Sequence, residues 1–581
     1  PCHYYPLREL LLDQNFSKST KTALQRSRAH HVHIPRPPGG PASLLFLSLN
    51  DKASASTFVF RHAIVFLGGV CNFAFVSICF RSSHYCNVLT NIPSIFRYLR
   101  LVVNLISNWT YKPTPIPDRP NYSNKDVTVI IPTIEGEGEN LCRTIKTCLA
   151  TQPFEILIVT IDANIKRAER TAAALNSSKI RVLSVAKANK RSQMCAAIPH
   201  VMTKITVFAD DDVIWPTTLL AWILAPFEDD EMGGVGTSQR LMRPKKMTIW
   251  SFLGSLYLER RNFDCSACLH IDGGLPCLSG RTVAYRTCIL QDDAFTHGFT
   301  HETWRTFQLN ADDDNFITRW MYTHGWKITM QYHKACEVQT TLEDSPKYLK
   351  QCLRWVRSNW RSNLTSMFLK DITGGMPELC SIVRFWDELT TEIRRLTPWT
   401  TYAVFQTTLT AWAFTDLLLF FLCYKATEEL PADTQQTVLT AVGIWIFVFA
   451  KSIKLYGHWI RYPADLLFLP ISILFGHVHG FIKLAGLMTL SAVCCLFLRN
   501  GDDITDHLAL QTSWGSRDGA DEDNQYRMIK LPPYHTDDLE ASPQMASSSA
   551  TSLSGAQYPP PYKKHEPNET CPLQGHYIHD L

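Results

Sequence analysis

The sequence predicts an α/β domain, a doubly wound and mostly parallel sheet, inserted between transmembrane α-helices. Three observations carry this. Over residues 121–371, apolar runs of strand length alternate with helical stretches, the pattern of strands joined by crossover helices. Long apolar runs stand on either side of that stretch, and several are long enough to cross a bilayer. Between them, the run Ile-Thr-Val-Phe-Ala-Asp-Asp-Asp-Val-Ile-Trp-Pro at 205–216 ends its apolar part in three carboxylates, Asp210, Asp211 and Asp212. Three acids do not share a packed core without a counter-charge. At the carboxyl end of a parallel strand they face the crevice where open α/β sheets bind ligands.

The elements follow in order. Residues 1–60 are basic, polar and rich in Pro, Ser and His, without a sustained period. They are expected to be poorly ordered and do not follow a cleaved signal pattern. Within 61–108, the uncharged apolar run 63–80 is just long enough for one span, with a buried core helix as the rival by length. The run 93–108 carries Arg97 and Arg100 and reads as a second span or as an amphipathic helix on the membrane surface. In 121–371, the β-branched runs 127–132, 154–161 and 180–185 read as buried strands, and 139–151 and 166–175 as helices. Residues 372–398 read as interfacial helices. In 399–497 the runs 399–424 and 438–451 can span, and 466–497 holds one span plus a broken or re-entrant segment, interrupted by Pro470, Gly476 and Gly480. Arg394, Arg395, Lys451, Lys454 and Arg461 flank these runs and count toward the cytoplasmic side. Residues 498–581 are polar and acid-patched and read as a disordered tail.

Composition narrows the function. The chain has 581 residues, of which 45% are hydrophobic and 19% charged, and its formal net charge of +4 makes no case for nucleic acid. Eighteen cysteines lack the spacing of a disulfide scaffold and read mostly as reduced thiols. Cys265 and Cys268 have metal-like spacing, but no second such pair follows, so zinc is a poor reading. His477 and His479 fit a polar channel lining or a helix contact better than a metal site.

Four constellations carry chemistry. Asp162 ends one strand run, and Asp210 and Asp212 end another. Two positions apart on a strand, these last two project the same way and can act on one hard cation, which in turn can hold a diphosphate. The plain rival is an acidic turn with capping aspartates. Asp312, Asp313 and Asp314 precede an amphipathic run, and a helix amino-terminal cap is the rival there. Gln351, Arg354 and Trp355 lie in the helical stretch 348–364, where an ordinary helix face is the rival. All four in this order, between membrane spans, are hard to ascribe to chance.

This order resembles the processive family 2 glycosyltransferases, the membrane synthases of cellulose, chitin and hyaluronan. Their pattern of D, DxD, (E/D)D and QxxRW stands here as Asp162, Asp210-Asp211-Asp212, Asp313-Asp314 and Gln351-Cys352-Leu353-Arg354-Trp355. Lys190-Arg191, the stretch Asp313-Asp314-Asn315-Phe316-Ile317-Thr318, the run 475–484 and Trp514-Gly515-Ser516-Arg517 are most similar to a fungal hyaluronan-synthase-like branch. The likeness covers roughly 60–520. It departs at the acidic Glu135–Glu139 stretch and in the charged segment between Phe497 and Trp514.

The resemblance implies a glycosyltransferase-A type domain and an inverting transfer of sugar from a UDP-sugar to a growing β-linked polysaccharide, coupled to export. It implies Mg2+ or Mn2+ on Asp210 and Asp212, Asp162 at the uracil or ribose, and Lys190 and Arg191 near the nucleotide and diphosphate. Asp314 would be the general base with Asp313 raising its pKa, Arg354 would meet the departing diphosphate, and Gln351 and Trp355 would serve the substrate, Trp355 with a flat face for the acceptor sugar. Residues 277–281 fall where the family places part of its acceptor site. The partners implied are the UDP-sugar donor, the polysaccharide acceptor and the lipid bilayer. The chain would be a multi-pass protein of the plasma membrane with its catalytic domain in the cytosol. The rival readings are a single-sugar transferase acting on a lipid and a transferase-like membrane transporter without activity.

Overall fold

The computed structural model describes residues 84–304, 307–367, 397–410 and 414–490. The expected segment 1–60, the apolar run 63–80, nearly all of 372–398, and everything from 491 on, including Trp514, lie outside the described residues.

Helix α1 (His84–Thr110) leads into the α/β domain. The strands are β1 (Val127–Pro132), β2 (Glu155–Ile161), β3 (Ile180–Val185), β4 (Ile205–Ala209), β5 (Val213–Ile214), β6 (Met232–Thr237), β7 (Gln239–Leu241), β8 (Thr282–Arg286), β9 (Thr303–Trp304), β10 (Phe307–Gln308), β11 (Lys327–Gln331) and β12 (Val338–Thr340). Seven of them form one sheet in the order β11-β6-β8-β4-β1-β2-β3. β1 pairs in parallel with β2 and with β4, β2 with β3, and β6 with β11. β8 alone runs against its two neighbours, so the sheet is mixed, with parallel pairs in the majority. A small second sheet, β5-β12-β7, stands beside it.

Strand alternation divides the core in two. Val127, Val129, Ile131, Ile156, Ile158, Ile205 and Val207 pack into one apolar layer, while Ile130, Leu157, Val159 and Phe208 pack into the other. A sheet covered on both faces makes its strands read as continuous apolar runs, which is how β1, β2 and β4 stand out in the sequence. β6 (Met-Gly-Gly-Val-Gly-Thr) does not. A Cβ on Gly234 would lie 2.8 Å from the Tyr285 ring, and one on Gly236 would lie 2.7 Å from Leu278 Cδ1. The strand gives up side chains so that β8 and the loop before it can close over it.

The helices that build the site are α2 (Glu139–Ala150), α3 (Lys190–Ala197), α4 (Ile249–Asp272), α5 (Asp313–Thr323) and α6 (Lys347–Met367). α4 is opened by a capping box between Thr248 and Ser251 and stopped by Gly273 in the left-handed conformation at φ 70°.

Beyond the domain come α7 (Pro398–Thr410), α8 (Thr415–Ala426), α9 (Ala432–Arg461) and α10 (Pro463–Met488). Among the described residues α9 and α10 are long and apolar enough to cross a membrane, and α7 with α8 would make a third span if they act as one bent pair. α1 continues through Pro93 and packs on α4 through Asn108 Nδ2, which donates to Ser266 Oγ at 2.7 Å. Eight described cysteines are free, Cys265 and Cys268 among them, both buried in α4. Cys142 and Cys288 depart from the reduced state expected for most thiols, each being disulfide-bonded.

Candidate active site

The ends of β1 and β4, the start of α3, the middle of α4, the first turn of α5 and the first half of α6 enclose a cavity of about 440 Å3. Its wall holds Asp210, Asp211, Asp212, Asp312, Asp313, Asp314, Glu343 and Asp344, against Lys190, Arg261, Arg281 and Arg354. Acids outnumber bases two to one, so the cavity favours a cation.

The acid triplet does not lie on a strand. β4 ends at Ala209, and Asp210 to Asp212 form the turn into β5. The expected alternation of side chains along a strand therefore does not apply, and local partners aim the carboxylates instead. Asp210 Oδ1 accepts from Lys190 Nζ at 2.9 Å, Asp211 Oδ2 accepts from Thr133 Oγ1 at 2.8 Å, and Asp212 accepts from the Thr341 hydroxyl.

Lys190 bridges the two acid groups. Its Nζ also lies 3.0 Å from Asp313 Oδ2. Burial alone would weaken the ammonium, but the charges of Asp210 and Asp313 reverse this and hold it protonated, above the ordinary lysine value. Gly280 permits the closeness, since a Cβ there would sit 3.2 Å from Asp313 Oδ2 and 3.4 Å from Lys190 Nζ.

Asp312 stands at the N-cap position of α5, but its side chain makes no capping hydrogen bond. It takes the left-handed conformation at φ 67°, and its side chain accepts from Arg361 Nε at 2.9 Å. Burial opposes its ionisation, yet Arg361 and a hydrogen bond from Ser358 bring its pKa below the ordinary carboxylate value. Asp314 is pushed the other way. Burial, and then the neighbouring Asp313 charge, raise its pKa. The half-buried Cys277 thiol beside Asp314 is pushed well up, by desolvation first and the Asp314 charge second.

Gln351, Arg354 and Trp355 all face the cavity from α6. The Trp355 ring stacks on Tyr257 of α4 with centroids 4.6 Å apart and planes 17° apart, and Arg281 Cζ lies 5.6 Å from its centre. Burial lowers the Arg354 pKa, and its Nε has no hydrogen-bond partner among the described residues. Leaving such a group unpaired costs about 1–3 kcal/mol, which an oxyanion in the cavity would recover.

Two expected residues do not reach the cavity. Asp162, at the end of β2, is exposed and accepts from Ser184 Oγ at 2.6 Å. Arg191 is buried on the far side of α3, donating to Phe299 O at 2.9 Å, Glu302 Oε2 at 2.7 Å and Ala311 O at 2.6 Å. These bonds hold the approach to α5, and Arg191 is not among the residues that line the cavity. Tyr257 and Arg261, one turn apart on α4, were not read from the sequence. Their helix is buried on nearly every side and mixes apolar with polar residues all round, so no periodic signal marks its cavity face.

With this geometry in view, the relatives can be compared. Residues 124–358 match the family described as "Glycosyltransferase like family 2". A "Type 2 glycosyltransferase" of Zymoseptoria tritici is 58% identical over 443 residues, which cover 76% of this chain and 86% of that protein. The chain belongs to the family 2 glycosyltransferases. It is an enzyme of that family, and its sheet is the mixed, mainly parallel sheet of a GT-A-like domain. "Hyaluronan synthase 3" of Xenopus laevis is 26% identical over 166 residues, 28% of this chain and 29% of that protein. Among solved structures, a mannosyltransferase of Pyrobaculum calidifontis in complex with GDP-Man and Mn2+ aligns with 62% of this glycosyltransferase and 99% of its own chain, at 16% identity and a TM-score of 0.34.

The donor set of the cavity fits a divalent metal on one condition. Among the described residues no cluster of three or more His, Cys, Asp or Glu side chains is placed to hold an ion. Asp210 and Asp212 are two carboxylates on an open wall, the set that suits Mg2+ or Mn2+ when phosphate oxygens and water complete the shell.

Proposed function

We propose that this glycosyltransferase is a multi-pass membrane enzyme that transfers sugar from a UDP-sugar to a growing β-linked polysaccharide, by one inverting displacement, and passes the product outward. The observation that carries this is the convergence of Asp210–Asp212, Asp313–Asp314 and Gln351/Arg354/Trp355 on one cavity. Here Asp210 and Asp212 would hold the metal, whose chemistry when bound is to neutralise the leaving diphosphate. Lys190 and Arg354 would take phosphate oxygens, as a point charge and a planar fork. Asp314, with its raised pKa, takes the proton of the acceptor hydroxyl. Asp313 keeps Lys190 in place beside it. Trp355 and Tyr257 offer the acceptor sugar flat apolar faces. Asp162 would serve the nucleoside from outside the cavity wall, and Gln351 the sugar. The domain, 121–371, would face the cytosol of a plasma-membrane protein, between 61–108 and 399–497.

The reading is tested on the full chain purified in detergent, with a panel of labelled UDP-sugars, following UDP release and product length together. Polymer that disappears in excess EDTA is the expected result. Full turnover in EDTA would remove the metal assignment, one sugar added to a lipid would select the lipid-acceptor reading, and no UDP release from any donor would leave an inactive transferase-like transporter.

A further inference from the structure

Where the apolar helices meet the domain, three chain segments converge. They are 242–251, which enters α4, 344–350, which enters α6, and 460–468, which joins α9 to α10. Asp344 ties the first two together, accepting from Ser251 N at 3.2 Å and from the Thr248 hydroxyl. Arg243 ties the first to the third. It donates to both oxygens of Asp465, at 2.9 and 3.1 Å, and lies 3.9 Å from the Tyr462 ring centre. Met247, Trp250, Tyr348 and Trp459 pack into one apolar cluster between the segments. The Phe252 and Phe468 rings stand 5.5 Å apart, and those of Trp250 and Tyr348 6.5 Å apart.

The acids of this junction already have partners or face the cavity. Asp344 holds the two loops, Asp465 meets Arg243 and His458, Glu337 meets Arg240 and Arg461, and Glu343 lines the cavity. The lysines do not. Lys245, Lys246, Lys347 and Lys350 are all exposed, and none makes an ion pair or side-chain hydrogen bond among the described residues. Beside them the surface is apolar. Ile249, Ile460, Leu466 and Phe468 are exposed, and Leu467, at 83%, is the most exposed large apolar side chain among the described residues. Lysines alone would be an ordinary solvated face. Here they ring an apolar prong at the end of two helices that are long and apolar enough to cross a membrane. Both halves of that pattern suit one layer, the lipid headgroups, where apolar side chains enter the acyl boundary and cations meet phosphate.

We propose that this junction is a binding surface for anionic phospholipid. Lys245, Lys246, Lys347 and Lys350 take the headgroup oxygens, while Leu466, Leu467 and Phe468 enter the acyl boundary. The inference rests on the reading of this glycosyltransferase as a membrane enzyme, and it deepens that reading by naming the charge of the lipid. Both lysine pairs stand at the start of helices that reach the cavity, α4 with Tyr257 and α6 with Trp355.

The test is native mass spectrometry of the full chain released from detergent micelles that hold equal amounts of phosphatidylserine and phosphatidylcholine. Phosphatidylserine should be retained about fivefold or more over phosphatidylcholine, the worth of one lysine at an anionic surface. Added salt should shrink the margin, because exposed charges are screened. The pair Lys245→Gln with Lys246→Gln, and the pair Lys347→Gln with Lys350→Gln, should each reduce it, while the matching Lys→Arg pairs keep it. Equal retention of the two lipids by the wild type, or an unchanged margin with all four lysines replaced by Gln, overturns the inference. Displacement of the lipid by an equal concentration of glycerophosphoserine, the headgroup without its chains, would make this a site for soluble anions and also overturn it. A chain that retains neither lipid and stays soluble without detergent would sink the membrane reading, and this inference with it. UDP release, measured on the same samples, tests the transferase reading separately, because lipid retention needs no turnover.

Discussion

At the scale of single residues, the site sets like charges apart by giving each a different neighbour. Asp312 has Arg361 and Asp313 has Lys190, while Asp314 makes no ion pair among the described residues. Asp314 is therefore the acid whose pKa is raised, by burial first and Asp313 second, and the acid limb of kcat/KM should lie above the ordinary carboxylate range. A carboxyl whose folded pKa exceeds its unfolded one lends stability below the unfolded value and loses it as pH rises through the folded value. Ionised Asp314 thus costs stability at neutral pH. Asp314→Asn should cut turnover by about 10²-fold or more, as expected for a lost general base. It should leave nucleotide binding nearly unchanged and keep or raise the melting temperature at pH 7. A melting temperature several degrees lower would mean that Asp314 holds the fold instead.

At the scale of elements, legibility in the sequence followed burial. β1, β2 and β4 were legible because each is apolar on both sides, and α6 because its Gln-x-x-Arg-Trp lies on one turn-spaced face. β6 was illegible because glycines replace its side chains. Gly236→Ala should cost about 1–3 kcal/mol, the range for overpacking a filled core, and chemical unfolding would measure it. The acid triplet was found for a reason that did not hold. Its residues sit in a turn, and partners on three other segments aim them, which no local spacing records. Arg191 parts from Lys190, its neighbour in sequence, because adjacent helix positions point in different directions. On α6, neighbouring residues should likewise separate in function. Trp355→Ala should shorten the product more than it slows UDP release, and Trp355→Phe should restore part of the length. Arg354→Ala should weaken nucleotide binding as well, read by titration with UDP.

At the scale of the whole molecule, the domain and the apolar helices are fastened at several points. Arg243 donates to both oxygens of Asp465, at 2.9 and 3.1 Å, and Arg461 and Arg240 converge on Glu337 at 2.8 and 2.7 Å. The proposed topology puts this junction on the cytosolic side. The native protein should then carry no glycan on Asn176 or Asn363, although both stand in sequons. Mass spectrometry that found one would place the domain in the lumen. The fastening also reaches the cavity floor. Gly486 of α10 lies so close to Val356 of α6 that an added Cβ would come within 2.5 Å of Val356 Cγ1, one residue from Trp355. A helix seated in lipid tilts when its apolar length and the hydrocarbon thickness differ. Here such a tilt has no slack to absorb it before it meets the acceptor platform. On the proposed membrane reading the turnover rate is then a gauge of bilayer thickness, and reconstitution in phosphatidylcholines of increasing acyl length should trace an optimum, where an enzyme with a free-hanging domain would give a flat line.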